Sequence, residues 1–283
     1  MRKILTAILF LMPFIGFSQL HDSFLMYRYS PNLVNPAFAG INNMDRMAYS
    51  RKAFNTEFPG HPVSSILSYD GKFNSINSGI GLNWQRNNIG VHTTDIINGQ
   101  YNYQIKFNDQ LIGIGAGLFY QQINSDWELL NYPISTFSGR EYSIHGNAGI
   151  SYMNGNFLGG ISLKTYFNNP SFSLSPPSKS RFNLFAEYHF KHEKFEHWPS
   201  VFVETGQRSA RVDLNYFTKS LNFILLGASY RKFGDINQYN IMGGVSIKNT
   251  VNVMMLAYSN SFQQPKHNYE FMVNVNLKNL QRQ

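Results

Sequence analysis

Ile97-Asn98-Gly99-Gln100-Tyr101-Asn102-Tyr103-Gln104-Ile105-Lys106-Phe107 alternates without a break. The odd positions are apolar, aromatic or glycine, and the even positions are amides with one lysine. Successive side chains of a strand point to opposite faces, so this run predicts a strand with one apolar and one polar face. Phe182–Lys191, Tyr239–Lys248 and Tyr269–Lys278 repeat the pattern, and every charged residue in these runs falls on the polar face. Each run is about ten residues long, the length a tilted strand needs to cross a bilayer. A charge on the lipid face at mid-bilayer would cost about 2–4 kcal/mol, which gives the sorting a physical reason.

Composition narrows the class. Of 283 residues only 14% are charged, against about 25% in soluble globular domains. Aromatics make up 16%, with 24 Phe and 17 Tyr, and there are 32 Asn against 16 Asp plus Glu. That apolar and aromatic content excludes a disordered chain. After the leader, no run approaches the roughly 18 apolar residues of a spanning helix. A large all-β protein remains. The formal charge of +8 is scattered rather than clustered, so nucleic acid is not expected as a partner.

Residues 1–18 read as a signal peptide. Arg2 and Lys3 form a basic start, Ile4–Phe17 an apolar stretch, and Gly16-Phe17-Ser18 a small-residue exit that places cleavage after Ser18. The chain has no cysteine, so no disulfide holds an exported fold together.

Period-two segments divide the remainder into fourteen expected strands, at 43–52, 61–70, 78–87, 92–107, 111–121, 141–153, 156–166, 181–191, 200–207, 210–218, 222–232, 238–248, 250–259 and 268–278. The expected fold is a closed antiparallel outer-membrane β-barrel over 43–283, preceded by an N-terminal segment, 19–42. An even strand count lets the sheet close with both termini on one side, and closure satisfies every backbone polar group in lipid. Connections should then alternate between tight periplasmic turns and longer surface loops. Asn108-Asp109-Gln110, Asn154-Gly155, Lys219-Ser220 and Lys248-Asn249 fit the first kind, and Gln122–Arg140 and Phe167–Ser180 the second. Lys191–Trp198, charged and aromatic, reads as an overlong periplasmic connection, either an ordinary longer turn or a docking site.

No catalytic motif emerges. There is no GxSxG elbow, P-loop, HExxH or cysteine nucleophile. His192-Glu193…His197 has the wrong offset for a helical zinc pair, and neither a metal nor a cofactor is expected. Ser143 and His145, two apart on one strand, are not expected to activate each other. Gly79-Ile80-Gly81 and Gly113-Ile114-Gly115-Ala116-Gly117 place glycines two apart on one face. They read as small lumen-facing positions that leave room for an inserted segment, not as a nucleotide loop.

The most distinctive stretch is Asn35-Pro36-Ala37-Phe38-Ala39-Gly40. Pro36 fixes φ and Gly40 permits a conformation other residues avoid. It is either a turn leading into the first strand or a segment tucked into the barrel mouth as a plug or contact point. NPAFAG after a signal peptide, at the head of an all-β chain of this length, resembles the PorP/SprF family of type IX secretion membrane proteins. Ala48-Tyr49-Ser50-Arg51-Lys52 with Gly60-His61-Pro62 is similar to the family's YR…GxP region, without the usual Gln-Trp after the Arg. Gly79–Leu82, Tyr101–Tyr103 and Leu111–Gly117 continue the likeness. The resemblance implies an accessory barrel of the outer membrane that helps export or hold a large surface adhesin. It implies contact with the translocon and with periplasmic ring and motor components. The partner contacts expected from the sequence are Asn35, Pro36, Ala37, Phe38, Ala39 and Gly40, with His192, Phe195 and Trp198. The competing reading is a transporter of small hydrophobic solutes, similar to the fatty-acid channels.

Overall fold

The computed structural model describes residues 24–41, 45–54, 56, 59–126, 139–166, 180–206, 210–260 and 268–280. The expected signal peptide lies outside the described residues, as do 127–138 and 167–179 of the two long connections. Fifteen β segments follow in order: β1 (Arg46–Ala53), β2 (Val63–Phe73), β3 (Ser78–Ile89), β4 (His92–Phe107), β5 (Gln110–Ser125), β6 (Gly139–Asn154), β7 (Phe157–Tyr166), β8 (Arg181–Tyr188), β9 (Phe190–His192), β10 (Phe195–Thr205), β11 (Ala210–Ser220), β12 (Ile224–Phe233), β13 (Ile236–Ile247), β14 (Val251–Asn260) and β15 (Tyr269–Asn276). β8 and β9 are one strand interrupted at His189, so the barrel has fourteen strands. The break falls beside Pro199 of β10, which stands opposite Tyr188 in the shared register and has no N–H to give to the ladder.

Each strand runs antiparallel to its sequence neighbours. The sheet closes where β1 meets β15, with Arg46 opposite Asn276 and Ala53 opposite Tyr269. Closure removes the edges that lipid would leave unsatisfied. The turns at the end where β1 begins and β15 finishes are short, and asparagines occupy their left-handed positions: Asn77, Asn108, Asn222 and Asn249 all have positive φ. In outer-membrane barrels short turns mark the periplasmic end.

Alternation sorts the two faces as expected. Ile97, Tyr101, Tyr103, Ile105 and Phe107 are exposed on the outside, while Asn98, Gln100, Asn102 and Gln104 are buried in the lumen. Ile241 is 73% exposed beside Asn240 at 1%, a contrast only a lipid-facing surface tolerates across a whole molecule.

Two expectations are corrected here. The Lys191–Trp198 connection is not a long loop. β9 and β10 form a tight hairpin through Glu193-Lys194, with His192 opposite Phe195, and Glu193 takes the positive φ of the turn. The polar face is not uniformly polar either. Phe185, Phe202, Phe217, Leu225, Met242, Met254, Leu256 and Met272 point inward and are buried. What they cover is the N-terminal segment.

Candidate functional site

Fourteen strands enclose more space than wall side chains alone fill. The N-terminal segment fills it with three short 3-10 turns, Leu25–Arg28, Pro31–Leu33 and Pro36–Phe38. Pro31 and Pro36 each open a turn, where their fixed φ fits and their missing N–H is not needed. The Asn35 side chain caps the third turn by accepting from Ala37 N at 2.9 Å.

NPAFAG is therefore a plug, packed wall to wall. Asn35 is 1% exposed, and Ala37, Phe38 and Ala39 are fully buried. Of the two readings of the hexapeptide, the structure places it inside the barrel, with its polar groups bonded to the barrel's own wall. Asn35 Nδ2 donates to the carbonyls of Ile150 and Ile161 at 3.1 and 3.0 Å. Ser151 Oγ donates to Ala37 O at 2.7 Å, Asn102 Nδ2 to Ala39 O at 2.9 Å, and Ser162 Oγ to Val34 O at 2.7 Å. Wall side chains thus take up plug carbonyls that a buried turn would otherwise leave orphaned.

Lumen glycines make the close approach possible. A Cβ on Gly115 would stand 2.6 Å from Ala37 Cα, and one on Gly79 would stand 2.8 Å from Gly40 Cα. Gly40 itself has φ +65°, and its N–H donates to Asp70 Oδ1. Phe38 packs edge-on against Phe185, 5.6 Å between centroids.

The first turn is held by charge. Asp213 lies buried between Arg211 and Arg231, which both donate to it. Tyr27 Oη donates to Asp213 Oδ2 at 3.2 Å and accepts from Asn215 Nδ2 at 2.8 Å. Burial raises the Tyr27 phenol pKa, with the Asp213 carboxylate adding to it, so Tyr27 stays a neutral donor. Burial raises Tyr29 too. Glu270 accepts from Leu25 N, Ser50 Oγ and Tyr258 Oη. Arg28 lies 3.5 Å from Glu187 and over the rings of Trp198, Phe217 and Tyr29.

Trp198, read from sequence as a partner contact, therefore faces inward and clamps Arg28. Phe195 is on the outer face at the rim, stacked near His197, which also stacks on Phe190 at 4.8 Å and lies 2.7 Å from Tyr216 Oη. His192 is exposed beside the turn. The structure thus splits the expected site between an interior plug and an exterior rim.

Ser143 and His145 do meet: Ser143 Oγ lies 2.9 Å from His145 Nε2, because positions two apart share a face. Nε2 also lies 3.2 Å from Gln121 Oε1, which can only accept. Ser143, His145 and Gln121 thus form one polar cluster on the lumen wall. Among the described residues, no group of three His, Asp or Glu could hold a metal. A 650 Å³ cavity opens on the outer wall, where the lining includes Ala186, Tyr188, Pro199, Tyr216, Ala228 and Tyr239.

Reading the sequence missed Asp213 and the inward methionines. The available signals were Arg211-x-Asp213 on one strand face and Met on an otherwise polar register at 242, 254 and 272.

The geometry defines an outer-membrane β-barrel closed by its own N-terminal segment. The chain belongs to the PorP/SprF family: the family described as type IX secretion system membrane protein PorP/SprF matches residues 17–275. No curated protein matches it. The outer membrane protein Omp33 of Acinetobacter baumannii shares the fold at 8% identity and TM-score 0.54, over 82% of this chain and 98% of that one. The P. putida toluene transporter TodX aligns at 9% identity and TM-score 0.49, over 87% and 93%.

Proposed function

We propose that this barrel is a non-enzymatic accessory of type IX secretion that helps export or anchor one large surface adhesin through protein–protein contact. The observation that carries this reading is the filled lumen. Residues 24–41 are knitted to the wall by side-chain hydrogen bonds and by apolar packing, so the barrel offers its faces and mouths to partners rather than a passage to solutes. The family supports the association with secretion machinery.

Deleting the gene tests this. Surface display of one adhesin is expected to disappear, while other type IX cargo stays on the surface and growth on a hydrophobic nutrient is unchanged. Intact adhesin display together with failed growth on that nutrient replaces this reading with the transporter.

A further inference from the structure

The short-turn end of the barrel, where β1 begins and β15 finishes, carries a charge pattern that closure does not require. Seven strands run toward this end: β2, β4, β6, β8–β9, β11, β13 and β15. Four finish on a lysine in the inward register, Lys72, Lys106, Lys191 and Lys219, and Lys248 follows β13 as the first residue of its turn, with φ +49°. Three of them continue rows of buried lumen residues, Lys106 after Gln104, Lys72 after Asp70 and Lys219 after Phe217. β15 is followed by Lys278 in the short helix α1 (Leu277–Leu280). Only β6 ends otherwise, on Met153-Asn154.

The outward register at the same level is aromatic or aliphatic: Phe73, Phe107, Phe190 and Ile247 are exposed beside those lysines. The two registers answer two surroundings. The phenylalanines meet the membrane interface, and the lysines turn from it toward the barrel axis. Among the described residues seven lysines, counting Lys194, stand at this end against Asp45, Asp109, Glu193 and Glu196. Glu196 lies 3.7 Å from Lys191, and Lys219 donates to Asn249 Oδ1. The carboxylates leave the mouth with net positive charge.

The plug forms the floor of this ring, meeting the wall at Gly71 and Gly79 beside Lys72, and at Gly113 and Gly115 further in. The lysines therefore surround a shallow cup and not the entrance of a channel.

We propose that this ring is the docking surface for an acidic segment of a periplasmic protein, which seats in the cup against the plug. Anionic lipid headgroups are disfavoured because the lysines face the axis, and a permeating anion because the floor is filled. The inference rests on the secretion reading and names the surface and the chemistry of the partner it would use. Charges of this kind act by steering and register more than by single strong bonds, so the ring matters as a set.

The test uses the full-length barrel in nanodiscs of neutral phosphatidylcholine, titrated with a labelled oligo-glutamate peptide. Binding is expected to fall about tenfold or more when Lys72→Glu, Lys106→Glu, Lys219→Glu and Lys248→Glu are combined, each contact being individually weak. It should be retained in the matching Lys→Arg set and weaken with salt. In cells, the Glu set should abolish adhesin display while the protein remains heat-modifiable, and the Arg set should preserve it. Equal peptide binding by the wild type and the Glu set overturns the proposal. So does normal display in the Glu set when gene deletion abolishes display, an outcome that leaves the secretion reading standing. Display that survives deletion refutes the secretion reading itself.

Discussion

The lumen has two walls of different chemistry. From β2 to β7 glycines and polar side chains outnumber apolar ones such as Ile66, Leu111 and Leu158, and the plug's backbone lies against the sheet with Ala37 and Gly40 touching the positions where a Cβ would stand. From β8 to β15 it is lined by Phe185, Phe202, Phe217, Met242, Met254 and Met272, with Asp213 and Glu270 buried among them. The first wall fixes position, because a backbone-to-backbone approach tolerates no added atom. The second supplies burial, because flexible methionines and phenylalanine rings adapt to Tyr27 and Phe38. One surface therefore acts as a gauge and the other as an adhesive.

Three substitutions break that comparison to different depths. Asp213→Ala should cost most, about 3–5 kcal/mol, because it strands Arg211 and Arg231 in the interior. The urea midpoint of the detergent-solubilised barrel reads the loss. Replacing both arginines with methionine as well should recover much of it, since the interior then holds no uncompensated charge. Gly115→Leu should cost about 1–3 kcal/mol through overpacking, and its larger effect is on the plug, whose seat at Ala37 it occupies. Planar-bilayer recordings should then show open-channel steps absent from the wild type, whereas Met254→Leu on the adaptable wall should show none. Trp198→Ala should be mildest, about 0.5–2 kcal/mol, by removing one ring over Arg28. Trypsin cleavage after Arg28 in the folded barrel should become faster.

The fourteen strands were legible because a bilayer imposes alternation on every one of them, and Ile97–Phe107 shows it unaided. Strand ends were less so. β5 extends to Ser125 and β6 starts at Gly139, beyond the apolar band, where polar residues such as Gln122 and Asn124 look like loop. Lys191–Trp198 misled for a related reason. Pro199 and a run of charges suggest a break, yet Phe195 and His197 take the outside while Glu196 and Trp198 take the inside, as in any hairpin. The plug was visible as a motif and its burial was not. Asn35 is satisfied by Ile150 and Ile161, more than a hundred positions away, and no local pattern encodes so distant a partner.

The seam between β1 and β15 bears on how the molecule is made. Arg46 pairs with Asn276, so the ring cannot shut until the last strand has been delivered, and the loop joining the two spans nearly the whole chain. Contacts this remote make closure slow relative to neighbouring hairpins. NPAFAG needs only β2 to β7 to find its glycines, and those hairpins form from adjacent strands. The half-built sheet already holds a cradle for the segment, so the barrel can be wrapped around its stopper rather than corked afterwards.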